Sequence, residues 1–494
     1  MNNWAPRIFA TIACISIIAL AQQASAQRAY TLDECLATAK KQAPALLLAK
    51  LAYEIAKENA EASELSLRST VDLSLSIPSY TESTTPIYNV NTGTYDLLTQ
   101  NETEIGGGLN INQPIFWTGG SLQLSGNFYR RLQTTLSGAP SNDYLSFATV
   151  SLTQPIFLAN TMKIQHEQNT IALDLARANY LSQIASLQYA VKSAFYTLYQ
   201  AQQQLHIQQQ SVEISDSAYA LATRKYKAGL IAEVEALQAE AAYATAQATL
   251  FDNQRALEAA ERNLMITIGQ PTSDKGLARL DSLTQSKVEI RMDDAIAQAM
   301  ANRADLLSAK YAIDQSTYSE ELTENQRTIN MQLSGNLGLT HNATTIALLY
   351  QNPPVNKGVT LTLNVPIFDW GAQSLRVDAA KANIEMSTIS YDKLQLTVEE
   401  GVREAVEQIF SARKQIEVAN EAVTISVKAY DLSRARFDNG SISSQDLTLA
   451  QQTLTQARTA ALNAIVAERL ALASLTQQTL YDFENGRPLG GDGE

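Results

Sequence analysis

The chain has 494 residues, 45% hydrophobic and 18% charged, with 37 basic against 50 acidic side chains and a formal charge of −13. That length exceeds one ordinary globular core and calls for several lobes or an extended form, and the acidic excess weighs against a phosphate-tracking nucleic-acid binder. Two cysteines cannot frame a disulfide scaffold, and three scattered histidines, His166, His206 and His341, give little basis for zinc or histidine chemistry.

Residues 1–26 read as a secretory signal: Arg7 supplies the positive end, Ile8 to Leu20 the apolar core and Ala24-Ser25-Ala26 the cleavage site. Cys14 follows Thr11-Ile12-Ala13 in a faint lipidation pattern, but cutting there leaves an unusually short signal, so simple cleavage is the expectation. The remaining thiol, Cys35, is expected to be a small apolar filler on a helix. No later segment has the 18 uninterrupted apolar residues of a spanning helix. Export then leaves a soluble protein or a β-barrel, whose alternating strands escape hydropathy.

Residues 27–69 are read as a first set of helices, with a break near Pro44 and a capping box at Thr31-Leu32-Asp33-Glu34. Residues 70–158 alternate like strands: Val71–Ile77, Leu109–Asn112 running into Gln113-Pro114-Ile115-Phe116, Leu122–Ser125, and Val150–Thr153 running into Gln154-Pro155-Ile156-Phe157. The recurrence of Gln-Pro-Ile-Phe after 41 residues marks an added strand pair, entered through a turn at Trp117-Thr118-Gly119-Gly120. Residues 159–269 form a long helical hairpin with its tip near Gly229; Leu181, Ile184, Leu187, Val191, Ala194, Leu198, Ala201 and Leu205 step by three and four as a coiled-coil seam. At 1.5 Å per residue its first arm would reach roughly 110 Å. Residues 270–290 are an irregular equatorial linker, 291–328 a second set of helices broken near Ala304, and 329–368 two further strands, 331–334 and 359–364. A second long hairpin, 369–480, has its tip near Gly440, and 481–494 are a tail.

The chain is written twice. Gly229 and Gly440 are 211 residues apart, and so are Pro155-Ile156-Phe157 and Pro366-Ile367-Phe368. Leu46-Leu47-Leu48-Ala49-Lys50 resembles Leu306-Leu307-Ser308-Ala309-Lys310 at an offset of 260, so the first half carries 49 extra residues.

This ordered set resembles the TolC-type outer membrane efflux protein family: duplicated helix–strand–strand–helix units, Pro-Ile-Phe strand exits, Asp369-Trp370-Gly371, and the basic-aromatic-x-x-Gly tips. The resemblance implies an α+β membrane protein: a trimeric outer-membrane β-barrel with four to six strands per chain, continuous with a long periplasmic α-helical coiled-coil tunnel. It also implies an exit duct for a tripartite efflux or type I secretion system, set in outer-membrane lipid. The duct works as a homotrimer with a periplasmic adaptor (membrane fusion) protein and an inner-membrane transporter. No catalytic residue, metal, cofactor or nucleic-acid partner is expected. Closure by several copies also follows from the strands themselves, since too few are present to surround a pore and bare edges are forbidden in lipid. The family usually supplies four strands per chain against six here. Either the barrel has 18 strands or the added hairpin lies outside the wall.

By the resemblance, Glu235 and Asp446 match acidic positions that narrow the periplasmic entrance, where three copies would favour cations. A solvated helix face explains them equally well. A further acidic position of the family is Leu449 here, and Phe437 stands where a tyrosine hydroxyl would help lock the closed state. Arg224, Tyr226, Gly229, Arg434, Phe437 and Gly440 are candidates for the tips and adaptor docking, although basic residues before glycine also suit any helix C-terminus. Pro114, Pro155, Phe157, Pro366, Phe368 and Trp370 are assigned to strand-to-helix junctions, with Phe116 and Trp117 completing an aromatic girdle. The competing class of function is a periplasmic coiled-coil scaffold or adaptor without its own pore. Gly106-Gly107-Gly108 lacks the context of a phosphate loop, so an enzyme has little support.

Overall fold

In a computed structural model of the chain, residues 28–90, 92–135, 140–271, 276–278, 283, 285–327 and 329–489 are described. The signal and Cys14 lie outside them, as do parts of the linker and the end of the tail. The elements in order are β1 (Arg28–Tyr30), α1 (Leu32–Gln42), α2 (Pro44–Leu65), β2 (Thr70–Asn89), β3 (Thr94–Ile115), β4 (Gly120–Thr135) and β5 (Ser141–Ile156). Then come α3 (Thr161–Lys227), α4 (Glu233–Thr267), β6 (Gly276–Ala278), α5 (Met292–Asn302), α6 (Ala304–Arg327), β7 (Asn330–Ala343), α7 (Ile346–Leu349) and β8 (Val355–Asn364). The chain finishes with α8 (Ala372–Asp438), α9 (Ser444–Thr479), β9 (Tyr481–Asp482) and β10 (Arg487–Pro488). Two compact units divide this chain: residues up to 52, 177–306 and from 393 on form one, and 53–176 with 307–392 the other.

The first unit is helical. Thr31 caps α1 through the expected box, its hydroxyl accepting from the Glu34 amide and the Glu34 carboxylate accepting from the Thr31 amide. The breaks fall at Ala43 and Arg303, each an extended residue between two helices. α3 and α8 each have 67 residues, about 100 Å at 1.5 Å per residue. Ile184, Leu187, Val191, Ala194 and Leu198 of the expected seam are buried, and Val402, Ala405, Val406 and Ile409 are buried on α8. The α3 residues share one cluster with Phe195, Leu264, Met265 and Ile268, in which Cys35 is fully enclosed; burial pushes its thiol up to about 12, as suits packing rather than chemistry.

Within the linker, β6 pairs in parallel with β1. Its later part is held by a charge pair that the sequence did not announce. Arg413 on α8 bonds Glu468 on α9 at 3.0 Å; Glu468 has no exposed side-chain surface. The other Glu468 oxygen accepts from the Ser286 amide at 3.0 Å, and Arg413 donates to the Val288 carbonyl at 2.7 Å. A buried carboxylate survives only when its lone pairs are filled, and here a guanidinium and a main-chain amide fill them.

The second unit contains one antiparallel sheet in the order β2-β3-β4-β5-β7-β8. The added pair therefore sits inside the sheet, flanked by β3 and β7. Its register sorts the side chains into rows. Val71, Ile111, Leu124, Val150 and Leu337 share one row across five strands, and Leu73, Leu109, Ala148, Leu339 and Val355 share another on the same face. Between them run Asp72, Asn110, Ser125, Thr149 and Asn356, pointing to the opposite face. The apolar face is uncovered in this chain: Leu73 is 69% exposed and Val359 80%. Gly106-Gly107-Gly108 lies within β3, where a Cβ at Gly107 would come within 2.8 Å of the Leu75 side chain, so close strand packing accounts for the run. His341 on β7 bonds the Leu349 carbonyl at 2.6 Å and ties the β7–β8 connection down. Among the described residues no helix is long and apolar enough to cross a membrane.

Removing the Glu468 carboxylate leaves Arg413 and the Ser286 amide unsatisfied, a loss of about 3 kcal/mol. Glu468→Ala should therefore speed hydrogen exchange across residues 285–290 by roughly a hundredfold, whereas Glu399→Ala, which breaks an exposed pair with Arg403, should change it by less than about threefold.

Candidate functional site: hairpin tips and strand junctions

The helical unit ends its two hairpins in matching turns. Gly229 and Gly440 have φ of 69° and 71°, the left-handed region that glycine enters without strain. The Leu230 amide reaches back to the Lys225 carbonyl at 2.9 Å and the Ser441 amide to that of Arg436 at 2.8 Å, the paired closure that fills a helix's last carbonyls. No Cβ at either glycine would meet another atom within 4 Å, so conformation rather than crowding selects the residue.

The turns match but their side chains do not. Tyr226 is 41% exposed whereas Phe437, its counterpart, is 1% exposed. The Phe437 ring packs with Tyr430, Leu447, Ala222 and Ala239, uniting the two tips in one cluster. Lys225 completes the join: its ammonium lies 4.4 Å from the centre of the Phe437 ring and donates to the Phe437 carbonyl. A cation there offsets the negative helix end and the ring face together. Arg224 bonds back to the Ala220 carbonyl at 3.3 Å on its own helix, and Arg434 and Gly440 are exposed. Deeper between the hairpins, Gln451 on α9 donates to the Ser211 carbonyl at 2.8 Å and to the Ser215 hydroxyl at 2.6 Å, a buried cross-link from the second hairpin's other arm to α3.

Glu235 and Asp446 both line a cavity of about 550 Å³ at the tips, with Lys225, Ile231, Phe437 and Ser443 among the other walls. Their environments differ. Asp446 is exposed and closes a capping box with Ser443, accepting from its hydroxyl at 2.8 Å and its amide at 3.1 Å. These bonds hold its carboxyl below the usual 3.8. Ala232 occupies the equivalent position before α4 and makes no side-chain cap, so no such box engages the half-buried Glu235. Glu235 instead offers its main-chain carbonyl to the Ser444 hydroxyl at 2.9 Å. Leu449 is 63% exposed.

In the sheet unit, Pro155 is the penultimate residue of β5, and Phe157 follows with φ of 63° before α3 begins. Pro366 and Phe368 lie between β8 and α8, and Trp370 there has φ of 59°. Asn160 caps α3 by accepting from the Lys163 amide at 3.1 Å, and Asp369 caps α8 by accepting from the Gln373 amide at 2.8 Å. Pro114 corrects the expectation. It is the penultimate residue of β3, and the chain turns there into β4, so it stands at a strand-to-strand turn rather than a strand-to-helix junction. The physical reason is that proline ends a ladder whatever element follows it. The Phe116 and Trp117 rings meet edge to face at 5.6 Å, as do Phe368 and Trp370 at 4.7 Å, and the two tryptophans are almost fully exposed.

The depressed Asp446 carboxyl stabilises the start of α9 at any pH above the ordinary carboxylate range, and that contribution disappears as acid titrates through the lowered value. Amide protection over residues 443–447 should therefore fall as the pH is taken from 5 to below 3. In Ser443→Ala, protection should be lower already at pH 6, and its loss should begin at higher pH.

The family profile described as outer membrane efflux protein matches residues 121–270 and 295–479. Among curated proteins, BepC of Brucella suis, an outer membrane efflux protein, is 24% identical over 287 residues, covering 56% of this chain and 60% of that one. MdtQ of Escherichia coli O6:H1, a multidrug resistance outer membrane protein, is 24% identical over 244 residues, 49% of this chain and 48% of its own. The chain thus matches about half to three fifths of the length of these relatives. Solved structures agree over more of it. The CmeC outer membrane channel of Campylobacter jejuni covers 93% of this chain and 87% of its own with a TM-score of 0.66 at 18% identity. The outer membrane protein VceC of Vibrio cholerae covers 92% and 96% at 0.66 and 15%. At those identities the likeness is one of fold. With the profile matched across both halves, the chain belongs to the outer membrane efflux protein family and is a protein of the outer membrane.

Proposed function

We propose that three copies of this chain form a passive exit duct: a shared barrel in the outer membrane, joined to a tunnel of helical hairpins on the periplasmic side. An inner-membrane transporter and a periplasmic adaptor deliver the cargo and supply the energy. The observation that carries this reading is the two-faced sheet, whose uncovered face is apolar while the other carries Ser, Thr, Asn and Gln. Lipid suits the first and a water-filled lumen the second. A scaffold without a pore would have no use for such a sheet.

The homotrimer has support on the helices too. On α8, Phe410, Val418, Ile425 and Leu432 are 50–64% exposed at spacings of eight, seven and seven residues. That is the period of a coiled-coil seam without its partner helix, and a second copy supplies one. The internal duplication is supported by α3 and α8, equal in length and starting 211 residues apart. The exposed aromatics Trp117, Phe157, Phe368 and Trp370 fit a girdle at the membrane–water boundary. Adaptor docking is assigned to the exposed tip residues Arg224, Tyr226, Gly229, Arg434 and Gly440, while Phe437, buried, acts by holding the tips together. The Lys225 bridge to the Phe437 carbonyl takes the place of a tyrosine hydroxyl in that lock.

Glu235 and Asp446 set the charge of the entrance in this scheme. Because Asp446 also caps α9, the test replaces charge and keeps shape: Glu235→Gln with Asp446→Asn. Planar-bilayer recordings should show cation preference reduced severalfold; unchanged selectivity would remove both residues from the entrance. Ile425→Glu should shift detergent-extracted protein from trimer toward monomer, read by mass photometry, because it buries a charge in the inter-copy seam.

A further inference from the structure

The sheet has two unfilled edges, and their chemistry names what fills them. β2 and β8 are the terminal strands of the order β2-β3-β4-β5-β7-β8. β8 is proline-free over Val355–Asn364, bracketed by Pro354 and Pro366. β2 is proline-free from Thr70 to Ile77; its register then shifts between Ser76 and Ser79, around Pro78, and Pro86 follows. Proline and a bulge are the usual means of blunting an edge against further pairing. The Thr70–Ile77 stretch of β2 lies at the same end of the sheet as β8, and the two are close in length.

Direction and facing also agree. β2 leaves the end of the sheet where Thr70 pairs with Asn112, and β8 returns to the same end at Asn364, so the two edges meet antiparallel in successive copies. Aligning Thr70 with Asn364 puts Ser74 beside Thr360, both on the polar face, and Leu73 beside Leu361, both on the apolar face. On the apolar face Val71 then meets Leu363 and Leu75 meets Val359, and Lys357 beside Ile77 is the polar exception.

The added pair cannot be lifted out of this wall. β4 is bonded along its length to β3, and β5 to β7, so expelling β4 and β5 breaks two ladders to make one. Its side chains obey the same faces as their neighbours: Leu124 and Val150 continue the row that runs from Ile111 to Leu337. A hairpin outside the wall would have no reason to match lipid and lumen in step with it.

We propose that all six strands stay in the wall and that β8 of one copy pairs with the Thr70–Ile77 edge of the next, closing three copies into an eighteen-stranded barrel. This rests on the trimeric duct proposed above. With strands about 4.8 Å apart and tilted about 40°, eighteen give a backbone diameter of about 36 Å, against about 24 Å for twelve. So wide an outlet passes cargo much thicker than a helix of about 10–12 Å, and size selection falls to the hairpin tips instead.

The test uses the full-length protein extracted from outer membranes. Cryo-electron microscopy of the unaltered protein in nanodiscs should show eighteen strands at the level of Leu73 and Leu361. In parallel, Ser74→Cys with Thr360→Cys or Thr362→Cys, in a Cys35→Ala background, should give covalent dimers and trimers on non-reducing gels. A trimer with twelve strands, or one whose cysteines never cross-link between subunits, overturns the eighteen-stranded wall and leaves the duct standing. The absence of any trimer overturns both.

Discussion

Main-chain hydrogen bonding at the edges of the sheet constrains everything else in this protein. Inside the sheet the four inner strands are laddered to a neighbour on each side over most of their length. At β2 and β8 the row of partners stops, on an element whose exposed face is made of Val, Leu and Ile. In water such an edge invites aggregation, and in lipid it costs several kcal/mol for each unpaired group. Neither solvent tolerates the sheet as one chain presents it. In the proposed duct, a strand of the next copy satisfies the edge and lipid suits the face.

The helical unit answers a related demand by different means. Helices satisfy their own backbones, so what must be settled there is the ends and the seams. The ends are closed by glycine turns and by the Ser443–Asp446 box; the seams are filled on one side by Val191, Leu198, Val402 and Ile409 and left open on the other along α8. Polar groups are admitted to the interior only in satisfied sets, as with Gln451 against Ser211 and Ser215, or Glu468 against Arg413 and the linker. Such sets fix the alignment of one helix on the next, which apolar packing alone does loosely. The tips combine both strategies, with Phe437 buried between hairpins and Lys225 reaching across to its carbonyl.

Features with a local cause could be read directly. Glycine at a left-handed turn, Thr31 before an acidic third residue, and the alternation around Val71 and Leu361 each state their structure within a few residues. The extent of β2 and β3 could not be read, because residues 78–105 mix Thr, Ser, Tyr and Pro without a clean period, yet pair by register with each other. Pro114 shows the limit of such signals: a proline marks the end of a strand and not what comes next, here a second strand where the sequence suggests a helix. Ser443-x-x-Asp446 has the spacing of a helix cap, a local pattern that fits Asp446 independently of any place in a pore. The Lys225 bridge and the Glu468 clamp leave no pattern at all: each ends on main-chain atoms brought close by folding.

The central claim is that a single chain holds an unfinished wall that neighbouring copies complete in lipid. Its most direct measurement is the mass of the mature protein, after removal of the signal, with and without detergent. The account predicts that the protein stays with the outer-membrane fraction until detergent is added and then emerges with the mass of three chains. A mature monomer that remains dispersed in detergent-free buffer would contradict it.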